Sequence, residues 1–167
     1  MATVKEAFDN FSMFTDGFME VVKSTVYNNK SEFVDYVHEQ LMTGVDGDGK
    51  KLSPGYLEDP YFKTKSAAKK YAMWKKQITP PMESYLGIPA RSVFVPNLFI
   101  NGYFYSLVEA TPTAEGLSIG TSGDKLGLEV ESKYKSNIFR IGELARKHFF
   151  IYMLTPAMKN YYAKFGL

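Results

Sequence analysis

The chain has 167 residues, with 20 Lys and Arg against 18 Asp and Glu, and a sequence pI near 8.6. That length suits one domain with a real core, and a formal charge of +2 gives no broad basic footprint for nucleic acid. Cysteine is absent, which excludes disulfides, thiolate nucleophiles and thiolate metal ligands, while the aromatic content of 16% is high.

The opening "MATVKEAFDNF" mixes charges with rings and leads into no signal-type apolar run. No window approaches the roughly 18 uninterrupted apolar residues of a membrane span, so no membrane contact is expected. Residues 4–27 show helical spacing: Val4, Phe8 and Phe11, then Phe14, Phe18, Val21 and Val22. Thr15 or Asp16 is placed to cap a fresh helix running to about Tyr27. Ser31 then caps a second helix with Phe33, Val34, Val37 and Leu41 on one stripe, ended by Gly44.

"GVDGDGKKLSP" spaces Asp46 and Asp48 as in an EF-hand loop. The fifth and sixth positions are Lys50 and Lys51, and the twelfth is Leu57, where calcium needs an oxygen ligand, a sharp-turn Gly and a bidentate Glu. The reading is a Gly-rich turn. Residues 52–66 are turn-rich, and residues 64–77, "TKSAAKKYAMWKKQ", form a basic helix. Tyr71 and Trp74 are expected to face the body, with Lys69, Lys70, Lys75 and Lys76 solvated. A second loop over 79–92 carries Pro80, Pro81, Gly87 and Pro89.

The stretch "NLFINGYFYSLVEA" crowds Phe99, Tyr103, Phe104 and Tyr105 around Asn101-Gly102. Asn-Gly between apolar runs is a hairpin signal. Tyr103 with Ser106 and Leu107, and Phe104 with Val108, have helical spacing and favour a short helix. Residues 107–111 and 117–121 alternate as half-buried strands joined over Pro112 to Gly116. Leu128 to Tyr134 reads as a short helix. From Ile141 the pattern is helical to the end, interrupted where Thr155 is placed as an N-cap and Pro156 at the first helical position, which predicts two helices or one kinked helix.

No P-loop, GxGxxG, GxSxG or HExxH occurs. His38 and His148 sit in helical patterns without companions at metal-ligand spacing. Glu129 and Glu131 are two apart and diverge on a helix. The expectation is a protein that is not an enzyme and carries no metal or cofactor.

The order of signals resembles a family. "GVDGDGKKLSPGY" is followed by "KKYAMWKK", then "PNLFINGYFYSLVEA" and "GLSIGTS", then "EVESKYKSNIFRI" and a helix through "HFFIYMLTPAMKNYYAKF". This succession, over most of residues 36–165, resembles tail-completion and head–tail connector (neck) proteins of tailed bacteriophages. It is closest to those of phages of Bacteroidetes, including the crAss-like phages. The chain departs where Asn101-Gly102 stands for the usual Thr-Gly, and where Arg140 and Ile141 follow "IF" instead of Gly and Leu.

The resemblance implies a structural virion protein, an α+β subunit of a homo-oligomeric ring beside the portal or adjacent neck and tail proteins. It implies assembly in the host cytoplasm, residence in the virion neck or tail, and at most a passing contact with packaged DNA. The expected organisation is one domain: N-terminal helices over 1–43, loops and a small antiparallel sheet over 44–135, and C-terminal helices over 136–167, with long Pro/Gly-rich loops. Rings beyond the needs of a small core suggest subunit contacts, where Tyr and Phe are enriched. Tyr103 and Tyr105 are candidates, as partly exposed residues flanking a core Phe104, together with Tyr61 and Phe62. The alternative is a nucleic-acid-binding accessory protein using the lysine-rich helix 64–77, with rings available for stacking.

Overall fold

Helix α2 (Lys30–Met42) is buried on more of its circumference than an amphipathic stripe requires. Val37 and Leu41 join Leu52, Phe104, Tyr105, Val108, Ile138 and Phe139 in one core cluster. Tyr36, one residue round, joins Leu86, Ala145 and Phe149 in a second. The two clusters therefore share one helix. Asn29, rather than Ser31, is its N-cap residue, and Gly44 closes it in the left-handed region at φ +72°, as its position predicts. The computed structural model describes residues 4–166, without the side chains of residues 4, 6–10 and 136. Val4 and Phe8 of the expected stripe lie outside the described side chains.

The fold is α+β, with helices around a two-stranded antiparallel sheet. Helix α1 (Val4–Asn28) runs unbroken through Thr15 and Asp16. The Thr15 hydroxyl donates to the Ser12 carbonyl within the helix, so it opens no new one. α7 (Thr155–Ala163) packs on α1. Phe14 lies against Tyr161 and Tyr162 at 5.6 and 5.7 Å between ring centroids. Gly17 permits this approach, because a Cβ there would lie 2.6 Å from the Tyr161 hydroxyl.

Strands β1 (Val108–Thr113) and β2 (Gly116–Thr121) pair with Val108 opposite Thr121 and Thr113 opposite Gly116. The turn is thus shorter than expected. Pro112 lies within β1 opposite Leu117, a position that an edge strand tolerates. Tyr27 of α1 donates to the Thr113 carbonyl at 2.8 Å and ties the hairpin to the helix. Helix α5 (Lys125–Tyr134) starts earlier than its apolar pattern, because the Asp124 carboxylate accepts from the Leu126 N–H and caps it. A 3₁₀ turn (Ser136–Phe139) then delivers Ile138 and Phe139 to the core.

The C-terminal helix does not break at Thr155. α6 (Glu143–Phe149) continues through a π turn (Phe150–Leu154) into α7. The Thr155 N–H and hydroxyl both donate to the Phe150 carbonyl, so Thr155 is helical rather than a cap. Pro156 has no N–H to donate, and the widened turn absorbs that loss.

α4 (Tyr103–Ser106) is the short helix favoured by spacing, opened by Gly102 at φ +84°. Phe104 is buried as expected, and Tyr103 is half exposed. Tyr105 is not: it is 7% exposed, its hydroxyl donates to the Asn97 carbonyl at 2.7 Å, and its ring stacks on His38 at 4.7 Å. Two residues apart on a helix, Tyr103 and Tyr105 point to opposite sides, and His38 of α2 with the 97–99 loop covers the side that carries Tyr105. In this fold Tyr105 is therefore unavailable as a subunit contact.

Phe104→Ala and Tyr105→Ala are both expected to cost about 3–5 kcal/mol, and Tyr105→Phe about 1 kcal/mol for the lost hydrogen bond. Denaturant unfolding of the three variants measures this. A Tyr105→Ala variant as stable as the parent would mean that the ring is not core.

Candidate functional site

Helix α3 (Lys65–Ile78) is capped by Thr64, whose hydroxyl accepts from the Ala67 N–H at 3.1 Å. Its inward stripe is Ala68, Ala72 and Lys75, at spacings of four and three. Lys69, Lys70 and Lys76 are exposed as expected. Lys75 is not solvated: it is 1% exposed, and its ammonium donates to the Phe99 carbonyl. The two alanines leave room for the lysine stem to lie across the body. Trp74, expected to face inward, sits on the shoulder of the stripe, 44% exposed and 5.3 Å from the Tyr71 ring.

Beside this helix lies a cavity of about 400 Å³. Tyr56, Phe62 and Tyr71 form one wall, with Tyr71 5.2 Å from Tyr56 and 5.1 Å from Phe62. Leu98, Phe99 and Phe104 form another, and Leu126, Val130 and Tyr134 of α5 complete it. Tyr71 and Lys75, one helical turn apart, both line it. The wall is shaped by a turn at Asp59, which accepts the N–H of Tyr61 through its carboxylate and that of Phe62 through its carbonyl. That turn leaves Phe62 half-buried in the wall and Tyr61 on the rim, 81% exposed.

The charges are arranged unequally. Asp59 is buried and held by Lys133 at 2.5 Å. Lys75 has no carboxylate within ion-pair distance among the described residues. Burial, and then the nearby Arg91 cation, pull its amine down to about 8. Arg91 is buried as well, donating to the Thr79 carbonyl at 2.8 Å and to the Val95 carbonyl at 3.0 Å. It thereby sits at the negative end of the α3 dipole. Burial also raises the Tyr56 phenol to about 12 and pushes up those of Tyr71 and Tyr134.

Of the residues expected at subunit contacts, Tyr61 and Phe62 meet at 5.2 Å on this cavity. Tyr103 lies apart from them, donating to the Asp124 carboxylate at 3.3 Å. Asp46 and Asp48 are occupied within the fold. Asp46 accepts the N–H groups of Asp48 and Lys50, and Asp48 binds Arg140 at 3.1 Å and Asn137 at 3.0 Å. His38 faces the Tyr105 carbonyl and His148 the Tyr36 hydroxyl. Among the described residues no three His, Cys, Asp or Glu gather as a metal site, and no helix is long and apolar enough to cross a membrane.

Lys75, Tyr56, Asp59 and Tyr134 went unsingled in the sequence as site residues. The available signal was Ala68, Ala72 and Lys75 on one helical stripe. The chain matches no protein-family model, and no curated protein or solved structure is detectably similar to it.

The lowered amine fixes the sign of a pH effect. Below about pH 8 Lys75 is charged both folded and unfolded, and its burial cost is felt in full. Between about 8 and the ordinary 10.5 the folded chain gives up the proton first, so stability rises with pH. Above about pH 10 the raised phenols of Tyr36, Tyr56 and Tyr85 reverse the trend, because the folded chain holds protons that the unfolded chain releases. Melting temperature should therefore climb from about pH 8 to 10, and Lys75→Met should flatten that climb. Identical profiles for the two proteins would contradict the burial of a charged Lys75.

Proposed function

We propose that the chain is a structural virion subunit that forms a homo-oligomeric ring in a phage neck, as a head–tail connector or tail-completion protein. It sits against the portal or adjacent neck and tail proteins, and no catalytic role is part of this reading. The observation that carries it is a pair of unlike exposed aromatic surfaces. On the C-terminal helix Tyr152 is more than half exposed, and the exposed Tyr85 joins it through His148, which contacts both tyrosines. On the rim of the cavity Tyr61 and Ile100 are exposed, and the exposed Trp74 lies beside Tyr71. A ring closes through heterologous contacts, which bring two different patches together, whereas a two-fold dimer needs a single self-complementary one. The sequence resemblance over residues 36–165 points the same way.

A second reading, the nucleic-acid-binding accessory protein, is favoured by the exposed Trp74 beside Lys70 and the solvated Lys69 and Lys76.

The absence of native cysteine makes a clean test. Tyr61→Cys with Tyr152→Cys, oxidised in the assembled particle, should give a disulfide ladder extending beyond dimers, and neither single variant should. Dimers from a single variant, or one copy per particle, would overturn the ring. DNA binding by the isolated chain whose salt slope falls by about 0.9 per removed lysine, with no ladder, would select the second reading.

A further inference from the structure

We propose that the cavity beside α3 is a binding site for a planar aromatic carboxylate, with its rings between the tyrosine and phenylalanine walls and its carboxylate on the Lys75 ammonium. The inference does not depend on the ring reading, because it concerns the cavity rather than the outer surfaces.

Three observations carry it. First, the cavity has the size and lining of a small-molecule site: about 400 Å³, aromatic, with few polar groups. Second, its buried cation lacks a counter-ion. An ammonium has three donors, and among the described residues the Phe99 carbonyl is the one partner of Lys75. A buried charge without an opposite charge is costly, and a ligand carboxylate would supply what the fold withholds. Third, the acid that lines the same cavity is already committed. Asp59 is held by Lys133 and by the Tyr61 N–H, so it neither neutralises Lys75 nor leaves a free negative charge to repel an anion.

The geometry selects a planar ring over an aliphatic acid. Tyr56, Phe62 and Tyr71 meet edge-on or tilted, an arrangement that leaves ring faces for stacking. Tyr71 and Lys75 project from one helical face, so a ligand stacked on the first presents its acid group to the second.

The test is titration of the full chain with 2-naphthoate and with its neutral analogue 2-naphthalenemethanol, followed by calorimetry. At pH 7 the acid should bind saturably at one site and at least about tenfold tighter than the alcohol. The preference should fade as pH rises past the Lys75 titration near 8. Lys75→Met, verified as folded by circular dichroism, should bind the two compounds equally. The double variant Asp59→Asn, Lys133→Gln, which removes the other lining cation together with its partner, should keep the preference. Should Lys75→Met fail to fold, the pH profile of the parent decides. No saturable binding, equal affinities, a preference unchanged at about pH 9.5, or a preference lost in the double variant instead of in Lys75→Met would each overturn the proposal.

Discussion

A chain with one small hairpin and long irregular stretches must find partners for backbone groups that no sheet ladder satisfies. Here buried polar side chains supply them. Gln40 of α2 donates to the Arg140 carbonyl and accepts the Gly142 N–H, holding the approach to α6. Arg91 takes the carbonyls of Thr79 and Val95, Lys75 takes that of Phe99, and Tyr105 takes that of Asn97. His38 takes the carbonyl of Tyr105. The loop over residues 79–102 is thereby fastened to itself through Arg91, to α3 through Lys75 and to α4 through Tyr105, by single contacts rather than by secondary structure.

The solution has an electrostatic consequence. Two of these fasteners are cations, and among the described residues neither has a carboxylate partner. Arg91 is eased by the end of the α3 dipole, while Lys75 gives up part of its basicity. Because Lys75 fastens the loop at the wall of a cavity, the same contact that orders residues 97–101 leaves that cavity with an unanswered positive charge. A structural need thus produces an unpaired cation at a cavity wall.

Local signals with a mechanical cause were legible in the sequence. Gly44 marked the end of α2, because left-handed backbone favours glycine, and the spacing of Tyr103, Ser106 and Leu107 marked α4. The two core clusters around α2 were not legible, since helical spacing puts Phe33, Val37 and Leu41 on one stripe, while in the fold Phe33 packs with Tyr36 in the second cluster. At Thr155-Pro156 the helix continues rather than dividing in two, because a π turn absorbs a proline that capping rules assign to a new helix. The burial of Lys75 was not legible for a simpler reason: lysine in a basic helix reads as solvated, and only distant residues of the 97–101 loop decide otherwise. Tyr61 and Phe62 lie together on the cavity, whereas packing that helical spacing alone does not orient exposes Tyr103 and buries Tyr105.

The fastened loop and the charged cavity wall both depend on a buried, cationic Lys75. Direct NMR titration of its side-chain amine in the full chain tests this, with the resonance assigned through Lys75→Arg. A midpoint near 8, well below the ordinary 10.5, is the predicted result. A midpoint at the ordinary lysine value would contradict it, because it would place the ammonium in water and leave the loop carbonyl and the cavity without the contact on which both depend.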